Sequence, residues 1–188
     1  MSNITGNPFD KQIKNRNFLS AVGFKFTIVR SPKVAFFGNS INIPSLQFGV
    51  SEVASYLRDI PFPGDKIEFE DLTVRFLVDE DLSNYMEIQK WIRGLGYPES
   101  LAETYNYQKQ KGDFADTKGQ LNLYSDATLL VLNSSQNLNF KVEFSDIFPI
   151  SLSTLTFDAT DTDIEYFTAE ATFKYTMYNI VNTLNKPL

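Results

Sequence analysis

The chain has 188 residues, the length of one domain, with 43% hydrophobic and 14% aromatic residues, a net charge of −6, and neither cysteine nor histidine. This excludes an intrinsically disordered chain, disulfides and Cys/His zinc sites, and every mechanism that needs a histidine, Ser-His-Asp triads among them. With 23 acidic against 17 basic residues and no basic run, it also lacks the clustered Lys and Arg that displace phosphate counterions in a nucleic-acid grip.

Residues 1–20 are polar and rich in Asn, Ser and Gly, and read as an arm held only by a neighbour. The opening MSNITGNPFDKQIKNRNF has no apolar run, so no secretory signal is expected. No segment reaches the roughly 18–20 apolar residues of a membrane-spanning helix. Residues 21–188 read as a single β domain with a long loop insertion at 97–119.

The first strand is expected from Val22 to Arg30, where Phe24, Phe26 and Ile28 alternate with Lys25, Thr27 and Val29. Ser31-Pro32-Lys33 reads as a turn. Short apolar pieces occupy 34–50, and an extended piece at 53–62 ends in Pro61-Phe62-Pro63-Gly64-Asp65, a turn signature. From Lys66 to Asp79 the pattern is that of a strand. Ile67 and Phe69 have one parity and Leu72, Val74, Phe76 and Val78 the other, which predicts a bulge or sharp bend near Glu70-Asp71.

Residues 82–95 change period. Leu82, Tyr85, Ile88, Gln89, Ile92 and Leu95 fall on one helical face, Asp81 or Ser83 can cap the start, and Gly94, Gly96 and Pro98 end it. Trp91, the single tryptophan, reads as a packing anchor. The stretch 97–119 is polar and patternless, long enough to suggest a functional or mobile loop. Tyr105, Tyr107, Lys109 and Lys111 make it a candidate contact with a neighbouring subunit.

Strand character returns at 120–132, at 138–144, and from Phe148-Pro149-Ile150 to Phe157. Asp158 to Asp163 reads as a polar turn. The last strand is expected from Glu165 to Tyr178, with Phe167, Ala169, Ala171, Phe173, Tyr175 and Met177 on one face. The whole reads as α+β, mainly β: an antiparallel sandwich or barrel of about seven or eight strands with one inserted helix. Its expected core anchors are Phe24, Phe26, Val74, Phe76, Trp91, Phe140 and Phe173.

Candidate chemistry is thin. Glu68, Glu70, Asp71, Asp79, Glu80 and Asp81 are the densest acids, but strand alternation and the approach to a helix explain them. Asp158, Asp161 and Asp163 lack the glycine and terminal glutamate of a calcium loop. No phosphate loop, dinucleotide fingerprint or nucleophile elbow occurs. No enzyme activity, metal or cofactor is expected.

Two blocks carry a resemblance. One runs from Pro63-Gly64-Asp65-Lys66 through Val78-Asp79-Glu80 into a helix ending near Trp91. The other runs from Phe148-Pro149-Ile150 through Leu155-Thr156-Phe157 and a polar turn into Phe167-Thr168-Ala169-Glu170-Ala171-Thr172-Phe173-Lys174-Tyr175. Together with the opening Phe24-Lys25-Phe26-Thr27-Ile28, they resemble the tail-tube family of contractile-tailed phages, over roughly residues 18–180. Baseplate proteins that initiate the tube carry a similar module.

The resemblance implies a hexameric ring stacked into a tube within the virion tail, assembled in the host cytoplasm. Sheath and baseplate proteins are the implied partners, and DNA passes through the channel without specific binding. Acids facing that channel would repel DNA and keep it sliding; Glu68, Glu70 and Glu170 are the candidates. The alternatives are a tube-initiator or hub-proximal baseplate protein, and the tube subunit of a contractile injection or type VI-like secretion system. A monomeric carbohydrate-binding β-sandwich, with Tyr105 and Tyr107 stacking on sugars, is the alternative from another class.

Overall fold

In the computed structural model, the residues described are 19, 23–36, 38–96, 98–102, 123–157 and 166–187. In chain order they form β1 (Phe24–Ile28), α1 (Pro32–Phe36), β2 (Gly38–Ile41), β3 (Leu46–Val53), β4 (Ile60–Phe69) and β5 (Leu72–Leu77). Then come α2 (Ser83–Gly96), β6 (Ser125–Leu132), β7 (Leu138–Leu152), β8 (Thr168–Lys174) and β9 (Met177–Asn182). The class is the expected one, mainly β with antiparallel pairing throughout. Among the described residues no helix is long and apolar enough to cross a membrane.

Strand β7 organises the body. Its first part pairs with β6 and β9, and its last part, from Phe148, pairs with β8. One layer is therefore β1-β6-β7-β9 and the other β7-β8-β5-β2. The transfer happens at a bulge. Ser125 pairs with Ile147 but Ala127 with Phe144, so β7 carries one extra residue there, and Asp146 takes a left-handed φ of 56°. Aspartate is one of the few L residues that visit this region readily. The expectation of separate strands at 138–144 and 148–157 is corrected: this is one strand of 15 residues with a bend inside it.

The core lies between the layers and under α2. Phe26, Ile28, Leu129, Val142 and Phe144 come from the first layer, and Leu72, Val74, Phe76, Ala171 and Phe173 from the second. Each fully buried Val, Leu, Ile or Phe side chain contributes about 1.5–3 kcal/mol by leaving water. Cross-strand pairs such as Phe26 with Leu129 and Leu72 with Phe173 place large inner residues opposite one another. Phe24 and Phe140 pack partly buried against this cluster.

Helix α2 packs on α1 and β7 and buries Ile88 and Trp91. Trp91 is 0% exposed. Its Nε1 donates to the Leu123 carbonyl at 3.3 Å, its ring lies 6.2 Å from that of Phe173, and the Arg30 guanidinium sits over it at 5.4 Å. The cap is not Asp81 or Ser83. Asn84 accepts from the Tyr85 and Asp79 amides and donates to the Leu77 carbonyl, while Asp79 accepts from the Asn84 amide.

Four further expectations are corrected. Pro32 opens α1 instead of forming a turn, since its fixed φ and missing N–H suit a first helical position. Pro61 to Asp65 lies inside β4, not in a turn. The segment 66–79 is not one bent strand. β4 ends at Phe69 and β5 begins at Leu72, and the parity flip marks a change of sheet. The final strand is two, β8 and β9, turning at Tyr175-Thr176 so that β8 lies between β5 and the last part of β7 and β9 pairs with the first part of β7.

Candidate assembly surface

β3 and β4 form a two-stranded sheet of their own, paired with no other strand among the described residues. Eight residues at about 3.3 Å each make β3 a ribbon of about 26 Å. Every β3 residue is exposed, and so are all β4 residues except Gly64 and Phe69. The register sets Leu46, Phe48 and Val50 on the same face as Ile67, Pro63 and Pro61. Phe48 and Val50 are 51% and 65% exposed. The opposite face has Gln47, Ser51 and Glu68, then Val53, Ile60 and Phe62 toward the tip, where Tyr56 is fully exposed. Among the described residues nothing covers this apolar stripe, and its extent on an isolated ribbon makes it a candidate interaction surface.

The ribbon kinks where Gly49 and Gly64 meet. Phe48 pairs with Ile67 but Val50 with Pro63, so residues 64–66 stand opposite Gly49. A Cβ on Gly64 would lie 2.6 Å from the Gly49 carbonyl oxygen, so the close approach needs glycine.

The root is pinned on both sides. Glu70 donates its amide to the Ser45 carbonyl at 3.2 Å, and Gln47 Nε2 donates to Glu70 Oε1 at 2.6 Å. The Asn42 side chain accepts from the Thr73 amide at 2.7 Å. From the β8–β9 corner, the Tyr175 hydroxyl donates to the Glu70 carbonyl and the Tyr178 hydroxyl to the Pro44 carbonyl. Phe69 meets both tyrosines edge-on, at 5.9 and 5.8 Å. Burial, reinforced by Tyr178 and by the charges of Asp71 and Glu70, pushes the Tyr175 phenol up to about 12.

A second apolar surface lies at the other end of the β5–β8 pair. Leu72 pairs with Phe173 beside the hairpin root, and Leu77 with Thr168 at the far end, about 17 Å away. There the rings of Phe157 and Phe167 meet at 4.7 Å, tilted by 53°. Phe157 is 74% exposed and Tyr166 is also open. Sequence reasoning did not single out either this patch or β3. Both read as ordinary strand hydrophobics, and only the lack of a covering layer among the described residues distinguishes them.

The three candidate lumen acids do not converge. Glu68 lies opposite Gln47 on the exposed face of the ribbon, and Glu70 at its root shares the Gln47 amide. Neither has an ion pair among the described residues. Glu170 is on β8 opposite Arg75, three register positions along β5 from the Leu72–Phe173 pair, and Arg75 Nη2 reaches its Oε2 at 3.5 Å. Lys174 pairs with Asp71 on the same outer face, so the charges there balance. Tyr105, Tyr107, Lys109 and Lys111 lie outside the described residues, as do Asp158, Asp161, Asp163 and all but one residue of the expected N-terminal arm.

The fold is shared with known assemblies. The chain is similar to the tube-terminating cap of the anti-feeding prophage, with a TM-score of 0.60 and 17% identity, over 94% of this chain and 99% of that one. It is similar to a chain of an extracellular contractile injection system sheath–tube complex, with a TM-score of 0.58 and 16% identity, over 89% and 94%. A chain of the anti-feeding prophage baseplate superposes with a TM-score of 0.56 at 12% identity, over 85% and 91%. No curated protein sequence matches. The family assignment comes from sequence: residues 5–181 match the family described as phage tail tube protein. That span takes in both layers, the helix α2 and the projecting hairpin, and the chain belongs to the phage tail tube protein family.

Proposed function

We propose that this protein is a structural subunit that assembles with copies of itself into hexameric rings, stacked into the tube of a contractile phage tail, and that it performs no catalysis. The observation that carries this reading is the β3–β4 hairpin, an apolar ribbon pinned at its root and left uncovered by the other described residues. The aromatic patch at the opposite end of the β5–β8 pair supports it. Two unlike apolar surfaces at opposite ends suit a heterologous, head-to-tail contact, which closes into rings or propagates into stacks.

The channel would carry DNA during ejection, with sheath and baseplate proteins as the other partners. A net charge of −6 favours passage over retention. Within this reading Glu68 and Glu70 are the stronger lumen candidates, because Arg75 already offsets Glu170.

A second reading keeps the assembly and changes the cargo. The tube and tube-terminating chains of contractile injection systems share this fold, and in this reading the tube would deliver effectors and not DNA. Light-scattering mass after size exclusion, with negative-stain imaging of the same fraction at high concentration, tests both. The expected species is six times the 21.4 kDa chain mass, seen as hollow rings or tubes. A chain that remains monomeric alone and with tail partners added contradicts the ring reading.

A further inference from the structure

The two outer edges of the hairpin are not equivalent. In an antiparallel pair, the N–H and C=O of one residue point to the same side, and successive residues alternate. Glu70 donates its amide to the Ser45 carbonyl, so the odd-numbered residues of β3 turn their backbone toward β4. The even-numbered residues, Leu46 to Glu52, present theirs to the outer edge. On β4, Pro63 stands opposite Val50 and Pro61 opposite Glu52, so both prolines also face outward. There they cost no ladder bond; they remove edge donors. Next to them, residues 64–66 bulge opposite Gly49. Outward prolines and bulges are the devices that keep an edge strand from pairing. β3 has neither: its eight residues contain no proline, and the extra residues lie on its partner.

We infer that β3 is the joining edge of the subunit, and that a strand of a second copy of this chain adds to it while the β4 edge stays closed. The inference rests on the reading of the protein as a self-assembling subunit. From Leu46 to Phe69 the hairpin offers 24 residues, against the about 20–30 residues a side of a stable interface. Strand addition supplies main-chain hydrogen bonds, and the alternate side chains of the ribbon supply the apolar contact.

Residue-resolved amide hydrogen exchange on the full chain tests this, comparing dilute monomer with assembled protein whose mass is checked by light scattering. On assembly the Phe48, Val50 and Glu52 amides are expected to slow by at least about tenfold. Glu52→Pro is expected to keep the monomer's melting temperature and lose assembly, whereas Pro61→Val assembles as the wild type does. If Glu52→Pro proves to melt lower, the wild-type exchange data alone decide. Assembly with those three amides exchanging as in the monomer overturns the edge assignment and leaves the subunit reading intact. A chain that never assembles overturns both.

Discussion

Tyr175 holds the hairpin to the body through one hydroxyl, and its environment makes that hold sensitive to alkali. Its phenol is raised from the ordinary 10 to about 12, first by burial and then by its neighbours. The folded state therefore binds a proton that the unfolded chain has released. The stability that Tyr175 contributes is at its full value below pH 10 and is lost as pH rises from 10 through 12. Thermal melts across pH 8 to 11.5 are expected to show this fall in the wild type and a smaller one in Tyr175→Phe. At neutral pH that variant loses the hydrogen bond to the Glu70 carbonyl, worth about 1 kcal/mol in urea titration. Trp91 sets the other extreme. It is fully buried against Phe173 and under Arg30, so Trp91→Ala is expected to cost about 3–5 kcal/mol in the same assay.

At the scale of elements, the bend in β7 and the kink in the hairpin each depend on one backbone position. Asp146→Val places a β-branched residue at a φ of 56° and is expected to cost about 1–2 kcal/mol, whereas Asp146→Gly is neutral or stabilising. Gly64→Val is expected to leave the thermal melt of the body unchanged, because the hairpin stands outside the core, and to impair assembly by driving a side chain into the Gly49 carbonyl. Element by element, strands such as β1 and β5 were legible because a strict alternation meets one buried face. Helix α2 was legible from its change of period. The ribbon was not: Pro61-Phe62-Pro63-Gly64-Asp65 has the chemistry of a turn, and only an unpaired outer edge allows two prolines in one strand. The join of 138–144 to 148–152 and the split of 165–178 were hidden for a related reason. Alternation reports which face is buried, not which sheet a strand belongs to, so one pattern can cross a bend and another can end at a corner. The acids Glu68, Glu70 and Glu170 were visible as residues, but the Arg75 pairing that separates Glu170 from the others is a product of register.

For the whole molecule, charge and shape bear on different parts of the proposal. An acidic protein whose outer β5–β8 face is ion-paired offers no phosphate-binding surface there. Assembled particles are thus expected to leave the mobility of double-stranded DNA unchanged in a low-salt gel, the condition that favours any electrostatic binding. Shape bears on assembly itself. The central claim is that the exposed stripe of the hairpin joins copies of the chain. It is tested most directly by sedimentation of the wild type and of a Phe48→Ser, Val50→Ser, Ile67→Ser variant over a range of concentrations. The wild type is expected to pass from monomer to rings as concentration rises, and the variant to remain monomeric with an unchanged melting temperature. A variant that assembles at the same concentration as the wild type would contradict the claim.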